Sequence, residues 1–365
     1  MKIQENIPLA QFTTFKIGGS ARFFCIVTSA ADLKKSLEFA KEKNVTFFVL
    51  GGGSNLLISD EGFHGLVIKM EIKKKMINDQ QIITAGAGEM WDDFVAWTLE
   101  QGFNGLENLS AIPGTVGATP VQNIGAYGVE AGQFISKVRA FDTHMMKEVE
   151  IAGRDCHFGY RNSLFKHEKG RYIITHVDFA LKKDGKVNVE YKDLKEYFEK
   201  VTEPAPFSRP AKLATQPLRS DKFRSFKSSG SVTPVPTPLH VREAVIDIRW
   251  HKLPDWNTWG TAGSFFKNPI ITQEKFDQLK AKYPGMPGFR DVGGVKIPLG
   301  WILDNVCHLK GVMIGGVGTY EKQALVIVTK PGVKAKEVVD FTHDLMKQVK
   351  GATGITIEAE VEWVN

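Results

Sequence analysis

The chain has 365 residues, 42% hydrophobic and 24% charged, an ordinary globular composition with enough length for two or three domains with cores of their own. Three cysteines, Cys25, Cys156 and Cys307, are far apart and odd in number, which argues against a disulfide framework or a zinc cluster and for a reducing compartment. The formal net charge of +6 is concentrated between Pro206 and Ser231, where six basic residues face one acid, and the remainder of the chain is close to neutral.

In chain order, Ser29 and Asp32 open a helix with Leu33, Leu37 and Ala40 at helical spacing, ended near Asn44, and VTFFVL (45–50) follows as a buried strand that runs into GGGSNLL. The strand QIITA leads into GAGEMW and a helix with Trp91, Phe94, Val95 and Leu99 on one face, stopped at Gly102. YIITHVDFAL reads as a strand with Ile173, Thr175, Val177 and Phe179 on one side. The basic, serine-rich stretch 206–231 has neither period and reads as a surface insertion. Thr237 and Pro238 supply the cap and first-turn proline of a helix that turns Val241, Val245 and Ile248 inward. An α/β block follows from about 254 to 354, with helices at 273–283 and 334–350, and the chain closes on a strand, ITIEAEVEWV. The start, MKIQENIPLAQ, lacks the apolar stretch of a secretory signal, and no run reaches the roughly 18 apolar residues of a membrane span. The expectation is a cytoplasmic protein without membrane contact.

The glycine loops carry the chemistry. Gly51, Gly52, Gly53, Ser54 and Asn55 follow a strand, where the N–H groups of a turn can converge on a phosphate. The loop is not a Walker sequence, and Leu56 stands where a dinucleotide fingerprint needs its third glycine. GAGEMW fails likewise, at Trp91. IPGTVGATPVQNIGAYGVE (112–130) is too rich in glycine for regular structure and too apolar for a solvated linker.

Six segments, FTTFKIGGSARFF (12–24), VLGGGSNLLIS (49–59), GLENLSAIPGTVGATPVQNIGAYGVE (105–130), FGYRNSLFK (158–166), GSFFKNP (263–269) and EAEVEW (358–363), closely resemble the UDP-N-acetylenolpyruvoylglucosamine reductase family, in its order and across nearly the whole chain. The resemblance implies an α+β protein: a flavin domain of the vanillyl-alcohol oxidase type in two subdomains (1–69 and 70–253, the last strand, 355–365, returning to the second) and a C-terminal α/β substrate domain (254–354). It implies non-covalent FAD, NADPH as co-substrate, a nucleotide-sugar substrate, no nucleic acid or metal, and a monomer. The implied activity is reduction of the enolpyruvyl ether of UDP-N-acetylglucosamine to UDP-N-acetylmuramate in peptidoglycan precursor synthesis; the alternative is another flavin oxidoreductase of the same fold.

FAD is anionic at its diphosphate and flat and apolar at its ring, so its site wants backbone donors, side-chain amides and little bulk. Gly51 to Asn55, with Gly114, Thr115, Gln122, Asn123 and Gly125, suit that description. By the resemblance, Arg161 binds the substrate carboxylate, Glu360 acts beside it with a raised carboxyl pKa, and Ser264 donates the final proton to carbon. Alternation alone reads Glu358, Glu360 and Glu362 as one solvated strand face. Tyr160 is expected to wall the flavin and substrate, and Tyr191, Lys252, Asn268 and Gln323 to hold the nucleotide. Tyr191 marks the group of the family with a tyrosine-bearing loop. The insertion at 206–231 and the short tail after Trp363 depart from the family pattern.

Overall fold

The computed structural model describes residues 1–200 and 236–365; the basic stretch 206–231 lies outside the described residues. Near the N-terminus a four-stranded sheet has the order Ile3–Pro8, Ser20–Val27, Phe63–Met70, Phe47–Leu50. Its last three strands run parallel, which requires a crossover, and the helix Ala30–Glu42 supplies it. Ser29 caps that helix by accepting from the Asp32 N–H, and Leu33, Leu37 and Ala40 form its buried stripe.

A five-stranded antiparallel sheet follows, in the order Lys147–Ala152, Ile135–Asp142, Tyr172–Ala180, Ile82–Gly86, Lys75–Ile77. The central strand from Tyr172 is buried at six of its nine positions, and Ile174 is among them along with the Ile173, Thr175, Val177 and Phe179 side read from the sequence. Trp91, Phe94 and Val95 of the helix Trp91–Glu100 share one continuous core with Leu33 and Leu37. The two sheets therefore form one apolar body. The helix Pro238–Lys252 is closed at its start by a reciprocal box, Thr237 Oγ1 accepting from the His240 N–H while His240 Nδ1 accepts from the Thr237 N–H.

A separate core gathers around a four-stranded sheet ordered Gly260–Ser264, Val326–Thr329, Val317–Thr319, Met313–Ile314, with the helices Leu299–Asn305 and Ala335–Thr353. Phe15, Ile17 and Leu57 reach into this core from the N-terminal region.

The closing strand departs from expectation in two ways. Only Glu362–Val364 is laddered, and it pairs in parallel with Leu56–Ile58, in the first subdomain range and not in 70–253. Residues 355–361 keep the alternating burial of a strand but lack a neighbouring strand along their length, so single contacts hold them instead: Lys267 N–H to Glu358 O, Glu360 N–H to Phe265 O and an isolated bridge between Ala359 and Phe266. The ladder starts where the Glu362 N–H meets the carbonyl of Asn55, the residue before Leu56.

Candidate active site

Where these units meet, a cavity of about 510 Å³ is lined by the backbone of Gly51 to Asn55, by Thr115, Val121 and Gln122, by Lys166 and Lys267, and by Glu360. Its floor depends on glycine. A Cβ on Gly52 would stand 2.6 Å from Gly114 Cα, and one on Gly53, at φ 64, would stand 1.9 Å from Phe12 O. The loops are fastened by side chains as well. Asn55 Nδ2 donates to Gln122 Oε1 (3.2 Å) and to Glu360 O (3.0 Å), and Ser54 Oγ donates to Pro113 O (3.1 Å).

The expected flavin contacts divide accordingly. Gly51 to Asn55, Thr115 and Gln122 line the cavity. Gly114 backs Gly52 from behind. The Asn123 side chain is engaged internally, Nδ2 donating to Glu130 Oε2 and Gly159 O while Oδ1 accepts from the Gly132 N–H, and Gly125 O accepts from Arg161 Nη2 at 3.2 Å. Gly114, Asn123 and Gly125 thus each make contacts within the segment or with its neighbours. A bare-backbone floor, two side-chain amides and cations on the wall fit an anionic, flat cofactor of the FAD kind.

The three acids of the closing segment each have a cation: Glu358 with Lys267 at 2.8 Å, Glu360 with Arg161 at 2.7 Å, Glu362 with Lys169 at 2.5 Å. Burial separates them, because the Glu360 side chain is 9% exposed against 72% for Glu358 and 36% for Glu362. Burial pushes the Glu360 carboxyl above its ordinary value, although the charges of Arg161, Lys166 and Lys267 pull the other way. Glu358 moves oppositely, held down by its bond to Lys267. Arg161 sits at φ 51, a left-handed conformation unusual for a non-glycine. Its Nε, 2.7 Å from Glu360 Oε1, makes an ion pair without the alignment of a good hydrogen bond. Lys166 Nζ donates to Arg161 O at 3.1 Å.

Tyr160 lies beneath two cations, Arg161 at 5.5 Å and Lys296 at 4.4 Å from its ring centre. Ser264 is exposed at the end of its strand, and the Glu360 N–H donates to the carbonyl of the next residue, Phe265. Asn268 Oδ1 accepts from the Leu299 N–H, the first residue of the helix Leu299–Asn305, and Gln323 stands where a Cβ on Gly300 would lie 2.8 Å from its Oε1, so both amides sit at one helix start. Tyr191 and Lys252 belong to a different cluster: Tyr191 packs edge-on against Tyr127 at 5.4 Å, and Lys252 pairs with Asp193 at 2.6 Å.

Sequence reasoning passed over Lys166, Lys267 and Lys296. The first two lie inside FGYRNSLFK and GSFFKNP, where the motifs themselves were the available signal. Nothing in the sequence pointed to Lys296, which meets Tyr160 only through folding.

Fold and cavity together define a flavin-binding α+β protein, and residues 21–144 match the FAD binding domain family. Residues 255–364 match the C-terminal domain of UDP-N-acetylenolpyruvoylglucosamine reductase. The chain is similar to the UDP-N-acetylenolpyruvoylglucosamine reductase of Bdellovibrio bacteriovorus, at 38% identity over 100% of both chains, and to that of Neisseria meningitidis serogroup B, at 39% over 99% of this chain and 97% of the relative. A solved UDP-N-acetylenolpyruvylglucosamine reductase from Thermus caldophilus, 22% identical, shares the fold with a TM-score of 0.65 over 100% of both chains. The chain belongs to the UDP-N-acetylenolpyruvoylglucosamine reductase family.

The glycine floor yields a direct expectation. Gly53→Ala, which must hold a side chain at positive φ against Phe12 O, weakens FAD binding by at least about 10-fold, from strain on the order of 1–3 kcal/mol. Titration of the apoprotein with FAD, followed by quenching of flavin fluorescence, measures it.

Proposed function

We propose that the protein is the NADPH-dependent flavoenzyme that reduces the enolpyruvyl ether of UDP-N-acetylglucosamine to UDP-N-acetylmuramate, the committed sugar of peptidoglycan precursors. The observation that carries this reading is the buried Glu360–Arg161 pair at the edge of the GGGSN cavity, in a chain that matches the family from end to end.

FAD bound in the cavity would supply the hydride, taken from NADPH and passed to the methylene carbon of the enolpyruvyl double bond. Gly51 to Asn55 would offer backbone N–H groups to its diphosphate, and Thr115 and Gln122, which also line the cavity, would help to hold the rest. Addition at the methylene drives the electron pair onto the neighbouring carbon and into its carboxylate. Arg161 holds that carboxylate with a planar fork of donors, and Glu360, its carboxyl pushed above the ordinary value by burial, acts beside it as the negative charge grows. Ser264 gives the neighbouring carbon its proton. Asn268 and Gln323, at one helix start, suit the base of the nucleotide. Tyr191 and Lys252 suit its diphosphate, which must then compete with Asp193 for the lysine. The reading places the enzyme in the cytoplasm, and no described helix is long and apolar enough to cross a membrane.

The purified protein is expected to be yellow and to release FAD on denaturation, since neither 51–55 nor 112–128 contains a histidine or cysteine for attachment. Under anaerobic conditions NADPH bleaches the flavin band and the enolpyruvyl nucleotide restores it. Bleaching without restoration would leave a flavin reductase acting on another acceptor, and a colourless protein that takes up no FAD would end the reading.

A further inference from the structure

Ala111 stands at the entrance to the glycine segment with φ 57, a left-handed conformation that glycine adopts freely and alanine does not. Both of its backbone polar groups are held by side chains from other elements. Its N–H donates to Asp92 Oδ1 at 2.6 Å, and its carbonyl accepts from Arg249 Nε at 3.2 Å. Asp92 is gripped in turn by a two-pronged contact from Arg242, Nη1 to Oδ1 at 2.6 Å and Nη2 to Oδ2 at 2.9 Å. Asp92 sits in the first turn of the helix Trp91–Glu100, while Arg242 and Arg249 are two turns apart on the helix Pro238–Lys252. Two helices far apart in sequence thus close on one residue.

The consequence runs along the chain. Three residues after Ala111, Gly114 passes close behind Gly52, and its carbonyl accepts from the Trp91 N–H at 3.0 Å. Thr115 then turns into the cavity. A change of φ at Ala111 would swing this strip away from the GGGSN turn. We propose that Asp92 and Arg242 are positioning residues for the cofactor loop: by fixing Ala111 in its left-handed conformation they set the path of 112–118 against Gly51–Asn55. The inference rests on the flavin reading of the cavity.

Burial opposes the charge on Asp92, but the bond and charge of Arg242, the Ala111 N–H and the charge of Arg249 outweigh it and hold the carboxyl below its ordinary range. Asp92 is therefore an anion that can accept from the Ala111 N–H and both Arg242 nitrogens.

The test is FAD titration of apoprotein, with far-UV circular dichroism on every variant. Asp92→Asn weakens FAD binding by at least about 10-fold, and Arg242→Gln, which keeps the Asp92–Ala111 bond, by a smaller factor. Ala111→Gly added to either variant recovers most of the loss, because glycine enters the left-handed region without the clamp, whereas Ala111→Gly alone changes affinity by less than about 3-fold. That recovery is the readout a merely structural ion pair would not produce. Unchanged affinity in Asp92→Asn and Arg242→Gln, or a loss that Ala111→Gly leaves untouched, overturns the proposal; if Asp92→Asn fails to fold, the Arg242→Gln pair of variants decides alone. Parent apoprotein that binds no FAD overturns the flavin reading itself.

Discussion

Glu360→Gln slows reoxidation of the reduced enzyme by the enolpyruvyl nucleotide at least about 100-fold while FAD stays bound, and Arg161→Ala does the same. The amide copies the shape and neutrality of a protonated carboxyl but has no acidic proton to share with the charge that grows on the substrate. Burial raises the Glu360 carboxyl above its ordinary value, against the pull of Arg161, Lys166 and Lys267. A raised carboxyl pKa has a definite sign. The folded protein binds this proton more tightly than the unfolded chain, so the associated stability is present below the unfolded pKa of about 4.5 and is lost as pH rises through the higher folded one. The rate of the substrate half-reaction falls through the same range, because the protonated form is the useful one. Glu360→Gln stays neutral throughout, so its melting temperature at pH 8 is no lower than that of the parent. A large loss of rate with no loss of stability separates chemistry from folding. Glu358→Gln and Glu362→Gln, whose carboxylates are more exposed, leave the rate within a few-fold; an equal loss in either would move the role to another carboxylate.

Local chemistry made the helices legible. Ser29 and Thr237 cap where the sequence placed them, and the inward faces carrying Leu33, Phe94 and Val245 are buried, because capping and 3.6-residue periodicity are written within a few neighbouring residues. The short helix Leu299–Asn305 and the hairpin strands Phe289–Asp291 and Gly294–Lys296 went unread, being too short to show a period. The closing segment misled for a different reason: alternation reports which side of an extended chain is buried but not whether another strand lies beside it, and here most of its length meets loops. At the site, motif resemblance singled out Glu360 from three equivalent acids, and burial gives the physical difference among them. The motif carries no sign that the Asn123 side chain also fastens its own loop, through Glu130 and the Gly132 N–H. The Asp92–Arg242 contact joins residues 150 positions apart and has no local signature at all.

Ser264→Ala divides the catalytic cycle in two: NADPH bleaches the flavin at close to the parent rate, while reoxidation by the enolpyruvyl nucleotide falls at least about 100-fold. Hydride transfer from NADPH to the flavin needs no proton delivered to carbon; the substrate half-reaction ends with one. The local backbone explains how Ser264 comes to be exposed at the end of its strand. Thr261 pairs with Val328 but Ser264 pairs with Val326, so one extra residue is inserted on the Ser264 side, and Gly263 takes it up at φ 72. A bulge of this kind re-aims the side chains that follow it. Phe265 and Phe266 both turn into the core while Ser264 remains exposed, an outcome that regular alternation would forbid for two successive residues. The Phe265 carbonyl then accepts the Glu360 N–H at 2.8 Å, which ties the residue after the serine to the backbone of Glu360. Removing a positioned general acid typically costs 10² to 10⁴-fold, or about 3 to 5 kcal/mol of barrier. Stopped-flow absorbance at the flavin band reads both phases from one preparation. A parallel fall of both rates would make Ser264 a general ligand contact, and no fall in either would hand the proton to water or to another group.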